Sequence, residues 1–374
     1  MEGLKPDKLL AALFISLSLA ASTCASPPPG AEDAPRAETV LAAAAETSFS
    51  GAAPVLTVPA SQEPAPPGRN IIAPVLAVFP ENPRPGEPFV AALVLPGGFI
   101  RPETGTVNSA PRAVLVSPGG ERLGKAAFFT LDEKSPGPDA NAALLAALLT
   151  IPSTMRAGLA KVVVEGITGL EGKELGIAVP EREFGSETID LDERNTAIRT
   201  EPDPQKTGEA NRLWAILNRT GSSIYAEEAF AAPVTVTRRT SFFGDRRMFR
   251  YVTGATEASV HAGIDYGAPR GTPVTSCAPG KVILARSRIV TGNSVIIEHL
   301  PGVYSLYYHM DSLGVNEGEL VETGTLLGLS GSTGLATGPH LHWEIRVAGE
   351  NADPDVFMAR PLLDKNAIFS KLNW

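Results

Sequence analysis

The sequence predicts a mainly β protein, with an N-terminal Ig-like β-sandwich module and a C-terminal domain built on antiparallel β-sheet. Two observations lead to this class. Short apolar runs recur about every ten residues and are separated by Pro-Gly and Gly-Gly turns, which is the spacing expected of antiparallel strands. Glycine (36) and proline (33) are abundant among the 374 residues, which favours β-rich modules and linkers over a helical bundle.

The first 70 residues are predicted to carry export and tethering signals. Lys5 and Lys8 precede an apolar run at 9–21 that is short for a membrane span and typical of a secretory signal, here residues 1–25. Two alternatives stay open for Cys24: acylation, as in a bacterial lipoprotein, or ordinary cleavage nearby, for instance after Ala25. Residues 26–70 are Ala/Pro-rich and are predicted to form a disordered tether. We therefore expect an exported protein of the periplasm or cell envelope, anchored to the membrane if Cys24 is acylated.

Residues 71–180 hold the strand-like runs of the predicted sandwich. Within them, 141–149 is rich in alanine and leucine, and a helix is the alternative to a strand there. We interpret this module as a binding or spacer unit, because it has no catalytic constellation. A connecting segment follows at 181–234. In it, Asp203 to Asn218 has a helical apolar stripe, and Trp214 is interpreted as a packing anchor.

A second β domain is predicted at 235–360, followed by a C-terminal tail at 361–374. The formal charge of −9 argues against nucleic acid as a partner, since no basic surface would offset phosphate repulsion. Only Cys24 and Cys277 are present. Removal or acylation of the first leaves Cys277 without a disulfide partner, and we expect it to be a small buried side chain. The sequence does not specify an oligomeric state.

Histidines are confined to one part of the chain. All five lie between positions 261 and 342, and two of them, His340 and His342, are separated by one residue. On a strand, residues i and i+2 point to the same face, so both imidazoles would look into one cleft while Leu341 points to the core. One of them can then bind a metal while the other moves protons. Two histidines on a solvated face are the simpler alternative.

His261 and Asp265 are the next candidate ligands. In a fully extended strand their ends would lie about 13 Å apart, which is too far for two ligands of one metal ion. The chain must therefore bend between them, and we expect Gly263 to permit the bend. A histidine and an aspartate four residues apart are a weak signal alone, but they add two ligands to the H-x-H pair.

Together these residues predict a catalytic zinc site. Two histidines and one carboxylate, His261, Asp265 and His342, leave the fourth tetrahedral position open for water, as in catalytic rather than structural zinc sites. His340 is then free to act as general base. His309 can stabilise the oxyanion or orient water. For His299 we expect a structural role in the sheet near His309.

An ordered series of motifs between about 254 and 350 resembles the M23 peptidases, also called lysostaphin-type or LytM-like endopeptidases. The series runs His261-Ala-Gly-Ile-Asp265, Gly271-Thr-Pro-Val274, Ala278-Pro-Gly280, Tyr307-Tyr-His309, Gly331-Ser-Thr-Gly334 and His340-Leu-His342-Trp-Glu344. Cys277 and Tyr308 depart from the family's usual small residues but are not proposed ligands.

The resemblance implies a LytM-like fold with Zn²⁺ held by His261, Asp265 and His342, and with His309 and His340 as the catalytic pair. It also implies hydrolysis of peptide cross-links or stem peptides of bacterial peptidoglycan. The bond cut, a glycine bridge or a D-amino-acid cross-link, stays open. Two alternatives to an enzyme remain: a non-catalytic LytM-like regulator of another wall hydrolase, and a zinc-stabilised structural domain. All five positions are filled, and no fourth protein ligand is evident, so an active enzyme is favoured.

Overall fold

The computed structural model of the chain describes residues 73–97, 99, 110–132, 142–372 and 374. The predicted signal segment, Cys24 and the tether lie outside these residues. Within the described ranges, no helix has the length and apolar character needed to cross a lipid bilayer.

The N-terminal module consists of two antiparallel sheets packed face to face. Its strands are β1 (Val75–Phe79), β2 (Pro88–Leu95), β3 (Arg112–Val116), β4 (Arg122–Ala127), β5 (Phe129–Asp132), β6 (Ala143–Thr150), β7 (Gly158–Glu165) and β8 (Glu174–Val179). One sheet has the order β1-β2-β6-β5 and the other β4-β3-β7-β8. Side chains of both sheets share one apolar core, for example Phe89, Leu115 and Val162. The Ig-like assignment of this sandwich stays a prediction.

Strand β6 settles the alternative left open at 141–149, because the stretch is a strand and not a helix from Ala143 onward. Every residue of β6 is buried, as is every residue of β2 beside it. Leu145 and Leu149 face the core of the sandwich, whereas Leu144 and Leu148 face the core of the C-terminal domain. A strand covered on both faces reads as a continuous apolar run, which hides the alternation that would distinguish it from a helix.

The connecting segment contributes one strand and two helices: β9 (Ser186–Asp190), α1 (Glu193–Thr200) and α2 (Pro204–Leu217). The predicted helix is confirmed as α2, and Asp203 caps it by accepting hydrogen bonds from the backbone N–H groups of Gln205 and Lys206. The interpretation of Trp214 was wrong. Trp214 is 51% exposed, whereas Ile216 and Leu217 of the same helix are buried.

The C-terminal domain is built on one large antiparallel sheet. Its elements are β10 (Arg239–Ser241), β11 (Arg246–Arg250), β12 (Thr256–Val260), β13 (Gly263–Tyr266), β14 (Pro273–Thr275), β15 (Gly280–Arg288), β16 (Gly292–Leu300), β17 (Val303–Leu313), β18 (Leu320–Val321), β19 (Leu326–Ser330), β20 (Leu341–Val347), β21 (Glu350–Ala352), α3 (Pro354–Ala359) and α4 (Lys365–Leu372). The main path is β10-β13-β20-β17-β16-β15-β18. A separate small sheet, β12-β11-β9, joins the connecting segment to this domain, with β9 parallel to β11.

Residues just outside the predicted bounds of the C-terminal domain, 235–360, pack into the core of that domain. Phe230 and Val234, which precede residue 235, belong to the buried cluster beneath the large sheet. The stretch predicted as a C-terminal tail contains α4, and Leu363 and Ile368 from this stretch are buried in the same cluster. Residues on both sides of 235–360 therefore contribute to the core of this domain.

Candidate active site and metal centre

Strand register, rather than nearness in sequence, assembles the candidate site. Strand β20 lies between β13 and β17, and His342 on β20 is directly opposite Asp265 on β13 and Tyr308 on β17. The Tyr308 and His342 rings stack with their centroids 5.6 Å apart. Leu341 is fully buried in the core, as the alternation of a strand requires, and His340 and His342 line the same cleft.

The chain bends between His261 and Asp265, but not where the sequence suggested. Strand β12 ends at Val260 and β13 begins at Gly263, so the bend falls at residues 261–262. Gly263 does not have a positive φ. It is needed for another reason: an ideal Cβ at this position would lie 2.1 Å from the carbonyl oxygen of Trp343 on β20. The glycine permits the close approach of two strands.

Three side-chain atoms converge at one point. His342 Nδ1 lies 2.6 Å from Asp265 Oδ1 and 3.0 Å from His261 Nε2, and the latter is 3.2 Å from Asp265 Oδ1. Ligands about 2.0–2.1 Å from a tetrahedral zinc ion lie about 3.3 Å from each other, so a small outward movement of these atoms accommodates the metal. Two imidazole nitrogens and one carboxylate oxygen are also a donor set that zinc prefers. The residues therefore fit a metal ion.

Each histidine of this cluster is oriented by a partner on its other ring nitrogen. His261 Nδ1 lies 2.8 Å from the carbonyl oxygen of Phe242, which accepts only, so this nitrogen carries the proton. His342 Nε2 lies 3.0 Å from Glu344 Oε1, and Arg346 binds the second oxygen of Glu344 at 2.8 Å. When the ring is neutral, each arrangement directs a nitrogen lone pair toward the cluster, as is usual for metal-binding histidines.

Burial and charge perturb the pKa values in the cluster. Burial alone would raise the pKa of Asp265, but the charge of His342 and hydrogen bonds from His261 and His342 lower it well below its usual range. Burial opposes protonation of His342, yet the adjacent Asp265 and Glu344 carboxylates raise its pKa to about 9. Burial lowers the pKa of His261. The carboxylate is therefore ionised and ready to bind a cation.

His309 and His340 stand beside the cluster as a pair. Their ring centroids are 4.7 Å apart, and His340 Nε2 is 3.9 Å from Asp265 Oδ1. The Nδ1 atoms donate to the carbonyl oxygens of Thr333 and Gly338, each at 2.8 Å. In the neutral rings, each Nε2 then carries a lone pair. Burial lowers the pKa of His309 to about 3 and also lowers that of His340, which keeps both rings neutral.

His309 also has an unusual backbone conformation, with φ of 61°. Few residues other than glycine adopt a left-handed conformation, and such strained positions cluster at functional sites. This conformation occurs within β17, directly after its last residue paired with β20, Tyr308, and the His309 ring lines the cleft.

The cleft around these residues has a volume of about 340 Å³. One wall is the loop at 335–340. Further lining residues come from β9, the residue that follows it, and β11: Glu187, Ile189, Leu191, Arg247 and Phe249.

Two acidic residues near the candidate metal cluster, Glu187 and Glu344, were missed from the sequence. Glu344 lies two residues after His342 on the same strand, so strand alternation would have identified it. For Arg246 and Arg247 the sequence left two alternatives open: that they line the groove or that they are solvated. In the structure, Arg247 is bound to Asp265, and Arg246 donates to the carbonyl oxygen of Ser153 in the sandwich.

The fifth histidine and the cysteine lie apart from the cluster. His299 is fully buried, with Nδ1 2.7 Å from the carbonyl oxygen of Pro279 and Nε2 2.7 Å from Ser305 Oγ. Cys277 lies beside it with its sulfur 3.7 Å from His299 Nε2, and burial raises the pKa of this thiol to about 12. Both side chains are part of the buried interior of the sheet.

Comparison with known proteins agrees with this geometry. The family model described as peptidase family M23 matches residues 259–354. The chain is 40% identical over 122 residues to the DD-carboxypeptidase/endopeptidase Mpg of Neisseria meningitidis serogroup B, covering 33% of this chain and 27% of that protein. It is 40% identical over 139 residues to the peptidoglycan DD-endopeptidase ShyB of Vibrio cholerae, covering 36% and 32%. The chain thus spans less than a third of the length of these relatives.

Solved structures include similar proteins. A putative peptidase M23 from Pseudomonas aeruginosa is 23% identical, with a TM-score of 0.47, and the match covers 74% of this chain and 94% of that one. The predicted resemblance is confirmed by the family model and the curated relatives: residues 259–354 match the M23 peptidase family.

Proposed function

We propose that this protein is a zinc-dependent endopeptidase that hydrolyses peptide cross-links or stem peptides of bacterial peptidoglycan. The observation that carries the proposal is the convergence of His261 Nε2, Asp265 Oδ1 and His342 Nδ1 beside two neutral histidines that face the same cleft. The names of the curated relatives, peptidoglycan DD-endopeptidases among them, support this substrate class and favour a D-amino-acid cross-link over a glycine bridge.

His261, Asp265 and His342 would hold the zinc ion, which when bound supplies Lewis acidity toward the scissile carbonyl and toward water. His340 is proposed as the general base. Its Nε2 lone pair takes a proton from the attacking water and then returns it to the leaving amine as the C–N bond breaks, so that a carboxylate and an amine result.

Of the two roles considered for His309, the hydrogen bonds favour the orientation of water. Its Nδ1–H is already bound to the Thr333 carbonyl oxygen, so the neutral ring offers only an acceptor at Nε2. An acceptor binds a water hydrogen, whereas stabilising an oxyanion requires a donor. His309 and His340 are thereby proposed to hold the attacking water between them.

Digestion of purified sacculi tests the proposal directly. We expect the full chain, loaded with zinc, to release muropeptides, a chelator to abolish release, and added zinc to restore it. Mass analysis of the products identifies the bond cut. Unchanged sacculi, with metal bound to the protein, would instead favour the non-catalytic regulator. His340→Ala is the matched control, since it removes the base and keeps the three ligands.

We propose that the protein acts outside the cytoplasm, where peptidoglycan is found, and that residues 26–70 tether it there. Acylation of Cys24 would anchor the tether to a membrane. Fractionation of cells that express the wild type and Cys24→Ser distinguishes the alternatives. Release of the variant alone into the soluble fraction supports acylation, and equal distribution of both proteins supports ordinary cleavage.

A further inference from the structure

We propose that Arg247 and Glu187 are positioning residues that fix Asp265 as a one-oxygen metal ligand, and this inference rests on the proposed function. Arg247 Nη2 lies 2.6 Å from Asp265 Oδ2, and Arg247 Nε lies 2.6 Å from Glu187 Oε1. The guanidinium therefore joins two carboxylates, one in the metal cluster and one outside it. The Arg247 side chain is 13% exposed and that of Asp265 is 9% exposed, so solvent screens this contact little.

The small sheet places these residues opposite each other. Glu187 on β9 and Arg247 on β11 are direct partners in the parallel pair, so their side chains emerge on the same face, toward the cleft. Ser241 on β10 also donates a hydrogen bond from its hydroxyl to the Glu187 carboxylate, with Oγ 2.9 Å from Oε1. Strand β9 belongs to the connecting segment, and through Glu187 this segment contributes to the metal site.

The two carboxylate oxygens of Asp265 have different partners. Oδ1 faces the two histidine nitrogens, while Oδ2 is occupied by the guanidinium. A carboxylate held in this way cannot rotate to bind the metal through both oxygens, which would fill the coordination position needed by water. Arginine suits this task better than lysine, because its planar fork can bind two carboxylates at fixed angles.

The positive charge of Arg247 by itself would weaken metal binding, and the negative charge of Glu187 offsets this effect. A guanidinium near the metal would repel a dication, but the adjacent Glu187 carboxylate makes the pair electrically neutral. Removing both charges together therefore leaves the net charge of the site unchanged. The affinity of such a double variant for metal reports positioning separately from charge.

The experiment measures zinc affinity of the full chain by competition with a chromophoric chelator, without reference to activity. Variants are Arg247→Met, Arg247→Lys, Glu187→Gln and the double variant Arg247→Met/Glu187→Gln. Arg250→Met is the matched control, because its pair with Asp190 lies in the same two strands but is largely exposed. We expect Arg247→Met and the double variant to lose about 10–100-fold in affinity. Glu187→Gln alone should lose less, Arg247→Lys should recover part of the loss, and the control should bind as the wild type does.

The outcomes separate the two proposals. If the wild type binds no zinc, the proposed function itself is wrong. If the wild type binds zinc and the double variant binds it with equal affinity, only the proposed positioning role is wrong. Tighter binding by Arg247→Met would mean that repulsion dominates and would also overturn it. If Glu187→Gln still weakens binding in the Arg247→Met background, Glu187 acts by a route other than Arg247. Circular dichroism of each variant confirms that the comparison is between folded proteins.

Discussion

Substitution of Gly263 by alanine tests whether close approach of β13 and β20 builds the site. The added Cβ would meet only backbone atoms: the Trp343 carbonyl oxygen at 2.1 Å, its carbon at 2.8 Å and Glu344 Cα at 3.0 Å. Backbone cannot rotate away, so β13 must move by about 1 Å from its normal strand spacing. The four residue pairs from Gly263↔Glu344 to Tyr266↔Leu341 lie in this ladder. Loss of two to four of its hydrogen bonds, at about 1 kcal/mol each, lowers the free energy of unfolding by about 2–4 kcal/mol.

Urea denaturation of the full chain, followed by circular dichroism, measures this change, and chelator competition measures zinc affinity. We expect Gly263→Ala to weaken zinc binding as well, because the shift displaces Asp265 from His342. Gly208→Ala is the matched control: this glycine is exposed in α2 with open space around it, and alanine should stabilise the helix by about 1 kcal/mol. A Gly263→Ala protein with wild-type stability and zinc affinity would refute the reasoning.

Three further predictions address the catalytic pair, the domain junction and a buried histidine. His340→Ala should lower kcat by about 10²–10⁴-fold while the zinc content, measured by metal analysis, is unchanged. Leu148→Ala should lower the free energy of unfolding by about 2–5 kcal/mol, because it leaves a cavity between the sandwich and the C-terminal domain, and urea denaturation measures it. Burial lowers the pKa of His299 to about 4, whereas the unfolded value is about 6.5. The unfolded chain therefore binds a proton first, and stability should fall between pH 6.5 and 4 by at most about 3 kcal/mol, with a smaller fall in His299→Gln.

The sequence predicted most of the site because strand alternation relates spacing to geometry. His340 and His342 are two residues apart, and on a strand this spacing alone places both rings in one cleft. The distance argument for His261 and Asp265 required a bend, and the structure has one at 261–262. The role of Gly263 was not predictable, since the approaching Trp343 carbonyl comes from a strand about 80 residues away in sequence.

The sequence left an alternative open at β6 and misled at Trp214 because burial there depends on distant parts of the chain. The β6 segment is apolar at every position because the sandwich covers one face and the C-terminal domain covers the other. A single-sequence pattern cannot distinguish this situation from a buried helix. Trp214 shows the opposite case. Its large apolar ring indicated packing, but the α2 side chains buried against the sheet are Ile216 and Leu217, and Trp214 is exposed.

Charged residues of the site were the least predictable from sequence, and the reason is the same for Arg247 and Glu187. Each lies in a polar stretch, and in each stretch a solvated side chain is the ordinary expectation. Glu187 can bind Arg247 only when β9 pairs with β11 in this register, since a shift of β9 by one residue would turn the Glu187 side chain to the opposite face. That register is set by a segment outside the M23 match at 259–354. A match to the family motifs therefore points to the proposed metal ligands, whereas the residues proposed to hold Asp265 in place depend on how the connecting segment packs against the domain.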